Sequence, residues 1–252
     1  MKTMERLRRA DGFTLVELLM ALFVGAVLLS AVYVAMISGQ RSAAGVEKKV
    51  AAQQDVRAAL EIMALEIGMA SYNPNFQPGL WLRGPSVPPN ANDCIMVGDQ
   101  TYKGIQEATP TAITVEMDIA ENGNIGDPNE VIRYSYNVAD QVITRSTNCG
   151  AAEAFLGANP GAPVGTRTVT LINNTAGINN GPNHGTAAVF RYYDSNGVEL
   201  YPYLGQDPTQ VPNIRRIDIT LAVQTEEMDA ATGQFRQMIY STSVLVRNHA
   251  IN

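Results

Sequence analysis

One acidic side chain, Glu17, stands near the start of an otherwise apolar run of the chain. The run reads GFTLVELLMALFVGAVLLSAVYVAMI over residues 12–37. A carboxylate inside a lipid bilayer costs about 3 kcal/mol on insertion scales, so such a group normally has a partner. This position predicts ion pairing with a cation, because an amine and a carboxylate in low dielectric lessen each other's desolvation cost.

Two acidic loops are candidates for a calcium site, because Ca²⁺ prefers several oxygen ligands on a flexible loop. The first loop, residues 121–130, offers the carboxylates of Glu121, Asp127 and Glu130. The second loop, residues 194–199, reads DSNGVE and is typical of a hairpin turn, since asparagine and glycine tolerate positive φ. We expect a turn in the second loop and no metal site, with the three carboxylates of the first loop as the candidates to test.

No enzymatic chemistry is predicted. The two histidines, His184 and His249, lack the spacing of a zinc motif such as HExxH. Neither a GxSxG motif nor a phosphate-binding P-loop pattern occurs in the sequence. The sequence therefore predicts a protein that is not an enzyme and that needs no cofactor.

The charge distribution separates a basic leader from an acidic remainder. The first 12 residues carry four basic and two acidic side chains, whereas the whole chain has a net charge of −6. An acidic body does not suit phosphate backbones, which need clustered lysine or arginine. Only Arg215 and Arg216, together with Arg191, suggest a basic cluster. The sequence therefore does not favour nucleic acid as a partner.

The apolar run is long enough to cross a membrane. As a helix, residues 15–37 would be about 35 Å long, against a hydrocarbon core of about 30 Å. Because the basic leader precedes the run, the positive-inside rule predicts a cytoplasmic N-terminus and an outer domain on the other side of the membrane. A secretory signal peptide would have a shorter apolar stretch followed by a small-residue cleavage site. A simple anchor would explain the hydropathy but not the acid at Glu17.

The helical pattern continues beyond the membrane segment. No proline occurs from residue 38 to residue 70, and apolar positions at spacings of three, four and seven predict an amphipathic half that packs on a sheet. The helix is expected to run from Phe13 to Ala70, because Asn73 and Pro74 then stop it. The stripe predicted on one face of the helix consists of Val46, Val50, Gln53, Leu60, Met63 and Ile67.

The remainder of the chain has the period of β-strands. Residues 113–119 alternate apolar and polar side chains, which is typical of a half-buried strand. Residues 131–147 and 217–246 each suggest a hairpin, and further strands are expected within residues 167–172 and 187–193. Because these strands follow one another without intervening helices, we predict an α+β fold in which an antiparallel sheet packs on the helix.

A specific resemblance rests on the residues from Gly12 to Glu17. The stretch Gly-Phe-Thr-Leu-Val-Glu, behind a basic leader and ahead of an apolar helix, resembles the prepilin signature of type IV pilins and type II secretion pseudopilins. The resemblance implies that a membrane prepilin peptidase cuts between Gly12 and Phe13 and that the new amine of Phe13 is methylated. It also implies that Glu17 pairs with the N-terminal amine of an adjacent subunit, as an assembly contact.

The resemblance implies a pilin-like fold in four parts. These are a prepilin leader (1–12), the transmembrane half of the long helix (13–37), its amphipathic half (38–70) and an outer antiparallel β-rich domain (71–252). Cys94 and Cys149 both lie in the outer domain. In an oxidising compartment outside the inner membrane, a disulfide between them is the leading interpretation.

Within this family the chain most resembles a minor pilin. Major pilins often carry a proline inside the apolar segment, and residues 31–36 contain none. The long helix, irregular middle and closing hairpin that ends in VLVRN resemble the W-type minor pilins and, next, the J-type pseudopilins of type II secretion. The expected function is to initiate or cap pilus assembly. The alternatives are a J-type pseudopilin at the tip of a secretion pseudopilus and a tip subunit that presents an adhesin, a substrate or DNA.

The resemblance also implies partners and a location. The partners would be other minor pilins, the major pilin, the prepilin peptidase and the inner-membrane assembly platform, with a tip adhesin as a further candidate. The location would be the inner membrane, crossed once, with the outer domain in the periplasm. The assembled protein would then belong to a pilus or pseudopilus at the cell surface.

Overall fold

One long helix precedes two antiparallel sheets in the described part of the chain. The structure is a computed structural model that describes residues 12–81, 100–157, 169–174, 187–202, 208–228 and 233–250. Helix α1 runs Leu15–Gly68, close to the predicted bounds. The chain divides into two compact units, Met1–Glu47 and Lys48–Asn252, and α1 contributes to each. The predicted α+β, pilin-like architecture is confirmed.

The first sheet has five strands, each paired with its neighbour in the sequence. The strands are β1 Ile105–Ala108, β2 Ala112–Glu116, β3 Val131–Asn137, β4 Val142–Thr147 and β5 Glu153–Leu156. The hairpin predicted within residues 131–147 is confirmed, since Asn137 pairs with Val142 beside the turn. β1 and β5 were not predicted, because a four-residue strand shows too few positions to establish a period of two.

The second sheet is built around the long closing hairpin. Its strands are β6 Val169–Leu171, β7 Phe190–Tyr193, β8 Glu199–Leu200, β9 Arg216–Met228 and β10 Phe235–Leu245. The order is β10-β9-β7-β8, and β6 also pairs with β9. β7 pairs with residues 216–219 of β9 and β6 with residues 223–225, so one long strand holds both. The predicted antiparallel β-rich domain is therefore built from two sheets.

The outer half of α1 packs into the core of the second unit. Its buried residues are Ala52, Val56, Ala59, Leu60, Met63 and Ile67. Three of these were predicted, but Val46 and Val50 were predicted wrongly, since they are 60% and 45% exposed. Gln53, at the edge of the stripe, contacts Met238 with an N–S distance of 3.8 Å.

The strand β2 is buried on both faces, although a half-buried strand was predicted. Thr114 donates its hydroxyl to Glu107 with an O–O distance of 3.0 Å, and Arg133 Nε lies 2.8 Å from the same carboxylate oxygen. Gln106 donates its amide to the buried Glu116. Because these polar side chains satisfy one another, the alternation in polarity did not indicate exposure.

Candidate functional site

The segment directly ahead of α1 is exposed and not helical. Gly12, Phe13 and Thr14 precede the helix, and the Phe13 side chain is 89% exposed. The peptide bond between Gly12 and Phe13 therefore lies outside regular secondary structure. The predicted leader, up to residue 11, lies outside the described residues.

Thr14 and Glu17 cap the first turn of α1. The Glu17 carboxylate accepts hydrogen bonds from the Thr14 backbone N–H, at an N–O distance of 2.9 Å, and from the Thr14 hydroxyl, at 3.0 Å. The Thr14 hydroxyl oxygen accepts from the Glu17 N–H at 3.3 Å. Together these bonds form a reciprocal capping box. This second role of Glu17 was not predicted, although the Thr-x-x-Glu spacing is a signal for it.

The apolar half of α1 exposes its large side chains from Leu15 to Met36. It contains a stretch with a mean hydropathy of 2.5, and by length and composition the helix can cross a membrane. Ser30, a polar residue in this stretch, donates its hydroxyl to the Val27 carbonyl at an O–O distance of 2.8 Å, so its hydrogen is used within the helix. Such a surface fits membrane anchoring.

The same segment matches a known family. Residues 7–33 match the family described as the prokaryotic N-terminal methylation motif. The match supports a type IV pilin-like family. The match, which covers residues 7–33 alone, favours a structural protein and implies interaction with pilus or pseudopilus components and with prepilin peptidase in general. Neither the curated proteins nor the solved structures gave a match to the chain.

In the loop predicted to offer calcium ligands, Glu130 organises the backbone. This residue is fully buried. It accepts hydrogen bonds from the backbone N–H groups of Ala120, Gly126 and Asp127, at N–O distances of 3.1, 2.9 and 2.8 Å. Both carboxylate oxygens of Glu130 are therefore engaged with the loop itself.

The other two candidate ligands also have protein partners. Glu121 accepts a hydrogen bond from the Tyr72 hydroxyl at an O–O distance of 3.0 Å. Asp127 accepts one from the side-chain amide of Asn122. Across the described ranges, no group of three or more His, Cys, Asp or Glu side chains is arranged to hold a metal ion.

The second acidic loop is a hairpin turn between β7 and β8, as predicted. Asp194 accepts from the backbone N–H groups of Asn196 and Val198, each at an N–O distance of 2.8 Å. These hydrogen bonds, chiefly the one from Val198, lower the pKa of Asp194. Gly197 takes the positive φ of 78° that the turn requires.

The buried His249 joins three segments near the C-terminal end. Its Nε2 lies 2.9 Å from the Val211 carbonyl oxygen, and its Nδ1 lies 2.7 Å from Ser71 Oγ and 2.9 Å from the Lys103 carbonyl oxygen. Burial, with the nearby charges of Arg215 and Lys103, lowers the pKa of His249 to about 4. Because Ser71 and His249 are both fully buried, a substrate cannot reach them. The other histidine, His184, lies outside the described residues.

The arginines that suggested a basic cluster all have partners. Arg191 Nε lies 3.6 Å from Glu199 Oε1, and Arg216 Nε lies 3.1 Å from Asp218 Oδ1. Arg215 donates to two backbone carbonyl groups. A phosphate backbone would have to displace these partners, so the arrangement does not favour nucleic-acid binding.

The predicted disulfide falls only partly on the described residues. Cys149 lies in the turn after β4, with a positive φ of 54°. Its predicted partner, Cys94, lies outside the described residues. The bond between them stays a prediction.

Proposed function

We propose that this chain is a minor type IV pilin that packs with other minor pilins in the membrane to initiate or cap pilus assembly. The observation that carries the proposal is the arrangement of residues 12–17. An exposed Gly12–Phe13 bond stands directly before a capped apolar helix, and an acid, Glu17, lies in the first turn of that helix.

Cleavage would change the chemistry of this end of the chain. Water would split the Gly12–Phe13 peptide bond, leaving a carboxylate on Gly12 of the leader and an amine on Phe13 of the mature chain. The neutral amine would then take the methyl group of a sulfonium donor, which leaves as a thioether, and the resulting methylated amine would be cationic at neutral pH because it keeps its proton. In a low-dielectric bundle, the Phe13 amine of one subunit and the Glu17 carboxylate of another would attract strongly and offset each other's desolvation.

The charge pattern supports an orientation for this process. The basic residues of the leader precede the apolar run, which favours a cytoplasmic N-terminus and a periplasmic outer domain. The prepilin peptidase and the inner-membrane assembly platform would then act on the membrane half of α1. The outer domain would meet other minor pilins, the major pilin or a tip adhesin.

A J-type pseudopilin of type II secretion is the alternative with the same N-terminal chemistry. The closing hairpin of β9 and β10, followed by Val246, Arg247 and Asn248, is compatible with either protein. The genes beside this one distinguish the two functions: pilus-assembly genes favour the pilin, and secretion genes favour the pseudopilin.

Intact-mass analysis of protein extracted from membranes tests the common step. In cells with an active prepilin peptidase, the mature chain should begin at methylated Phe13. A Gly12→Val variant is the matched control, because a side chain at this position meets no atom within 4 Å. Loss of cleavage in this variant would report on recognition by the peptidase rather than on misfolding. A wild-type chain that keeps Met1 would refute the proposal.

A further inference from the structure

Strand β10 forms a long edge of the second sheet. It pairs with β9 on one side only, and it ends the strand order β10-β9-β7-β8. It has 11 residues, whereas β1, β5 and β8, the strands at the other sheet ends, have four, four and two. In the described part of the chain, β10 is therefore the edge with the most room for another strand.

The hydrogen bonds of β9 show which of its residues face away from β10. The Thr220 N–H donates to the Val189 carbonyl oxygen at an N–O distance of 2.9 Å, on the side of β7. The Ala222 carbonyl oxygen accepts from the Ile172 N–H at 2.8 Å, on the same side, next to β6. Because successive residues of an antiparallel strand bond to alternate sides, the even-numbered residues of β9 bond away from β10 and the odd-numbered residues bond toward it.

The register between β9 and β10 then fixes the residues of β10 that face outward. Leu221 pairs with Tyr240, and the pairing is regular over residues 237–245, so the even-numbered residues of β10 bond to β9. The Val246 N–H follows the same pattern, since it donates to the Arg215 carbonyl oxygen at 3.0 Å. The residues that direct their N–H and C=O groups away from the sheet are therefore Ile239, Ser241, Ser243 and Leu245. Among the described residues, none bonds to these outward groups.

The side chains of the same four residues lie on the sheet face opposite to α1. The even-numbered Met238 faces the helix, where its Sδ lies 3.8 Å from Gln53 Nε2. On the outer face, Ile239 is 60% exposed and Leu245 is 55% exposed, with the two serines between them. The edge therefore combines unpaired backbone groups with two exposed apolar side chains about 20 Å apart.

Most of this edge lacks the features that normally prevent strand pairing. Residues 237–245 read QMIYSTSVL and contain no charged residue, proline or glycine. Natural edge strands usually carry a charge, a proline or a bulge, or are very short. In β10 such features stand at one end only, at Arg236 and at the irregular register between Phe235 and Gln237. The rest of the strand is therefore a template for one more strand.

We propose that the outward edge of β10 receives an extended segment of a different protein as an added strand. The backbone of that segment would bond to the outward groups at positions 239, 241, 243 and 245. Its side chains opposite Ile239 and Leu245 would be apolar and the others uncharged, because β10 offers no charge to compensate one that leaves water. The inference goes beyond the proposed function, since it gives the outer domain a binding site for a peptide strand.

A second copy of this chain does not fit as the occupant. Two identical edges close a dimer as an antiparallel pair about a twofold axis. The outer half of α1 runs beside β10 in the same direction, since Gln53 contacts Met238 and a Cβ atom on Gly68 would lie 3.5 Å from Val244 Cγ1. An antiparallel pair would therefore place the first residue of each outer half, Lys48, at opposite ends of the dimer. One membrane cannot lie at both ends, so the strand comes from another protein.

A synthetic peptide with the sequence QMIYSTSVL tests the edge directly. One antiparallel register sets its leucine opposite Ile239 and its isoleucine opposite Leu245, with serine opposite serine, and a free peptide is not tied to a membrane. Residue-resolved hydrogen exchange is measured on the full-length chain in detergent, with and without the peptide. The amides of Ile239, Ser241 and Ser243 should exchange fast in the free chain and severalfold more slowly with the peptide bound.

The matched control is the same peptide with N-methyl groups on the alternate amides that would donate to β10. It keeps every side chain and lacks the donors, so it should leave the exchange unchanged. Equal slowing by both peptides, or no slowing by either, would overturn the proposal. Amides that already exchange slowly in the free chain would overturn it too, because another segment of the chain would then cover the edge.

Photo-crosslinking in cells tests for the partner. The full-length chain carries a benzophenone amino acid in place of Leu245, and a second copy with a different tag is expressed beside it. The expected adduct joins a different protein. Ser241→Pro removes an outward N–H and should abolish the adduct, whereas Ser241→Ala, the matched control, keeps that N–H and should retain it.

Ile239→Lys is the second variant, because it keeps every backbone group and places a charge on the edge. It should also abolish the adduct while the protease resistance of residues 71–252 stays at the wild-type value. An adduct with the second copy, an adduct that survives both Ser241→Pro and Ile239→Lys, or the absence of any adduct in the wild type would show that the proposal is wrong.

The failure of this contact can be told apart from the failure of the proposed function. If the mature chain begins at Phe13 and filaments form while the peptide leaves the exchange of β10 unchanged, the edge contact alone is wrong. If the chain keeps its leader in cells with an active prepilin peptidase, the proposed function is wrong, whatever the exchange shows.

Discussion

Glu66 of α1 and Arg145 of β4 form a two-point ion pair. Arg145 Nη2 lies 2.7 Å from Glu66 Oε1, and Arg145 Nε lies 3.1 Å from Oε2. The Tyr134 hydroxyl of β3 donates a further hydrogen bond to Oε2. Burial, then this bond to Glu66, raises the pKa of Tyr134 far above its ordinary value, so the hydroxyl remains a donor. Three side chains thus fix the rotation of the helix on the first sheet.

Arg145→Ala should lower the free energy of unfolding by about 2 kcal/mol, because it leaves the partly buried Glu66 without its charged donor. Urea titration of the full chain in detergent, followed by fluorescence, measures the change, since Trp81 is the single tryptophan of the sequence and is buried. Glu61→Ala, on the exposed side of the same helix, is the control and should change stability by less than about 0.5 kcal/mol. An equally small effect of Arg145→Ala would contradict the prediction.

The buried His249 should make the outer domain sensitive to mild acid. Its pKa is about 4 in the folded protein, against about 6.5 in an unfolded chain. The unfolded state therefore binds the proton first, and the stability contributed by neutral His249 falls as the pH drops through this window. Between pH 7 and pH 5, the free energy of unfolding should fall by about 2 kcal/mol from this group alone.

His249→Gln isolates that contribution, because glutamine does not titrate. Urea midpoints of the wild type and the variant are compared at pH 7 and at pH 5. The wild type should lose more stability than the variant, which should be less stable at pH 7 because the contacts to Val211 and Ser71 are weakened. Equal losses in both proteins would show that His249 does not titrate in this way.

Gly104 is the position where an added methyl group should harm the fold most clearly. Its φ is 79°, and a Cβ atom would lie 2.9 Å from Trp81 Cζ3 and 3.0 Å from the Ser71 Cα. Gly104→Ala should therefore cost about 3 kcal/mol, from backbone strain and overpacking together.

Gly79→Ala is the matched control for that substitution. Gly79 has a φ of 73°, but a Cβ atom there meets nothing within 4 Å. Gly79→Ala should therefore lower the free energy of unfolding only by the backbone strain, about 1 kcal/mol. Thermal unfolding of both variants measures the difference, and equal shifts would mean that contact with Trp81 contributes nothing.

Local sequence patterns predicted the helix and the hairpins, because these elements form between residues that are close in the sequence. The closing hairpin and the helix follow from periodicity, and Leu60, Met63 and Ile67 lie in the core as predicted. At the candidate site, the Gly12-to-Glu17 signature lies within the segment that the family match covers, residues 7–33. The capping box could also have been predicted from the sequence, because it depends only on Thr14 and Glu17 being three residues apart.

Long-range pairing was not predictable in this way. Nothing in the local pattern of residues 169–171 specifies that they pair with the far half of β9 rather than with the first sheet. The burial of Thr114 was missed for a related reason, since its partner Glu107 comes from another strand. Val46 and Val50 have the right spacing for a core stripe, but spacing alone cannot say where the sheets begin to cover the helix.

Cys94 and Cys149 should be joined in protein taken from an oxidising compartment. Their separation of about 55 residues gives about 4 kcal/mol of stabilisation in the chain-entropy model, less any strain in the folded protein. Peptide mapping without a reducing agent identifies the cross-linked pair. Two free thiols would count against the bond and against a periplasmic outer domain.

Glu17→Ala should impair assembly while leaving the outer domain folded. The carboxylate caps its own helix through Thr14, and in the proposed assembly it also pairs with the Phe13 amine of a neighbour. Removing it should lower crosslinking to other minor pilins and the number of surface filaments. Protein level and the protease resistance of residues 71–252 should stay at the wild-type value, because the core of that region lies in the two sheets and the outer half of α1.

Glu17→Gln separates the two roles of this side chain. A glutamine oxygen can still accept the Thr14 N–H and keep the capping box, but it brings no charge to the Phe13 amine. If the charge matters for assembly, filaments should fall with Glu17→Gln as far as with Glu17→Ala. Thr14→Ala weakens the cap but keeps the charge, since it removes the threonine hydroxyl and leaves the Glu17 carboxylate in place. Cells with Thr14→Ala should therefore retain more filaments than cells with Glu17→Gln or Glu17→Ala. Wild-type filaments with Glu17→Gln would mean that Glu17 serves only as a helix cap, and a simple membrane-anchored domain would become the better account.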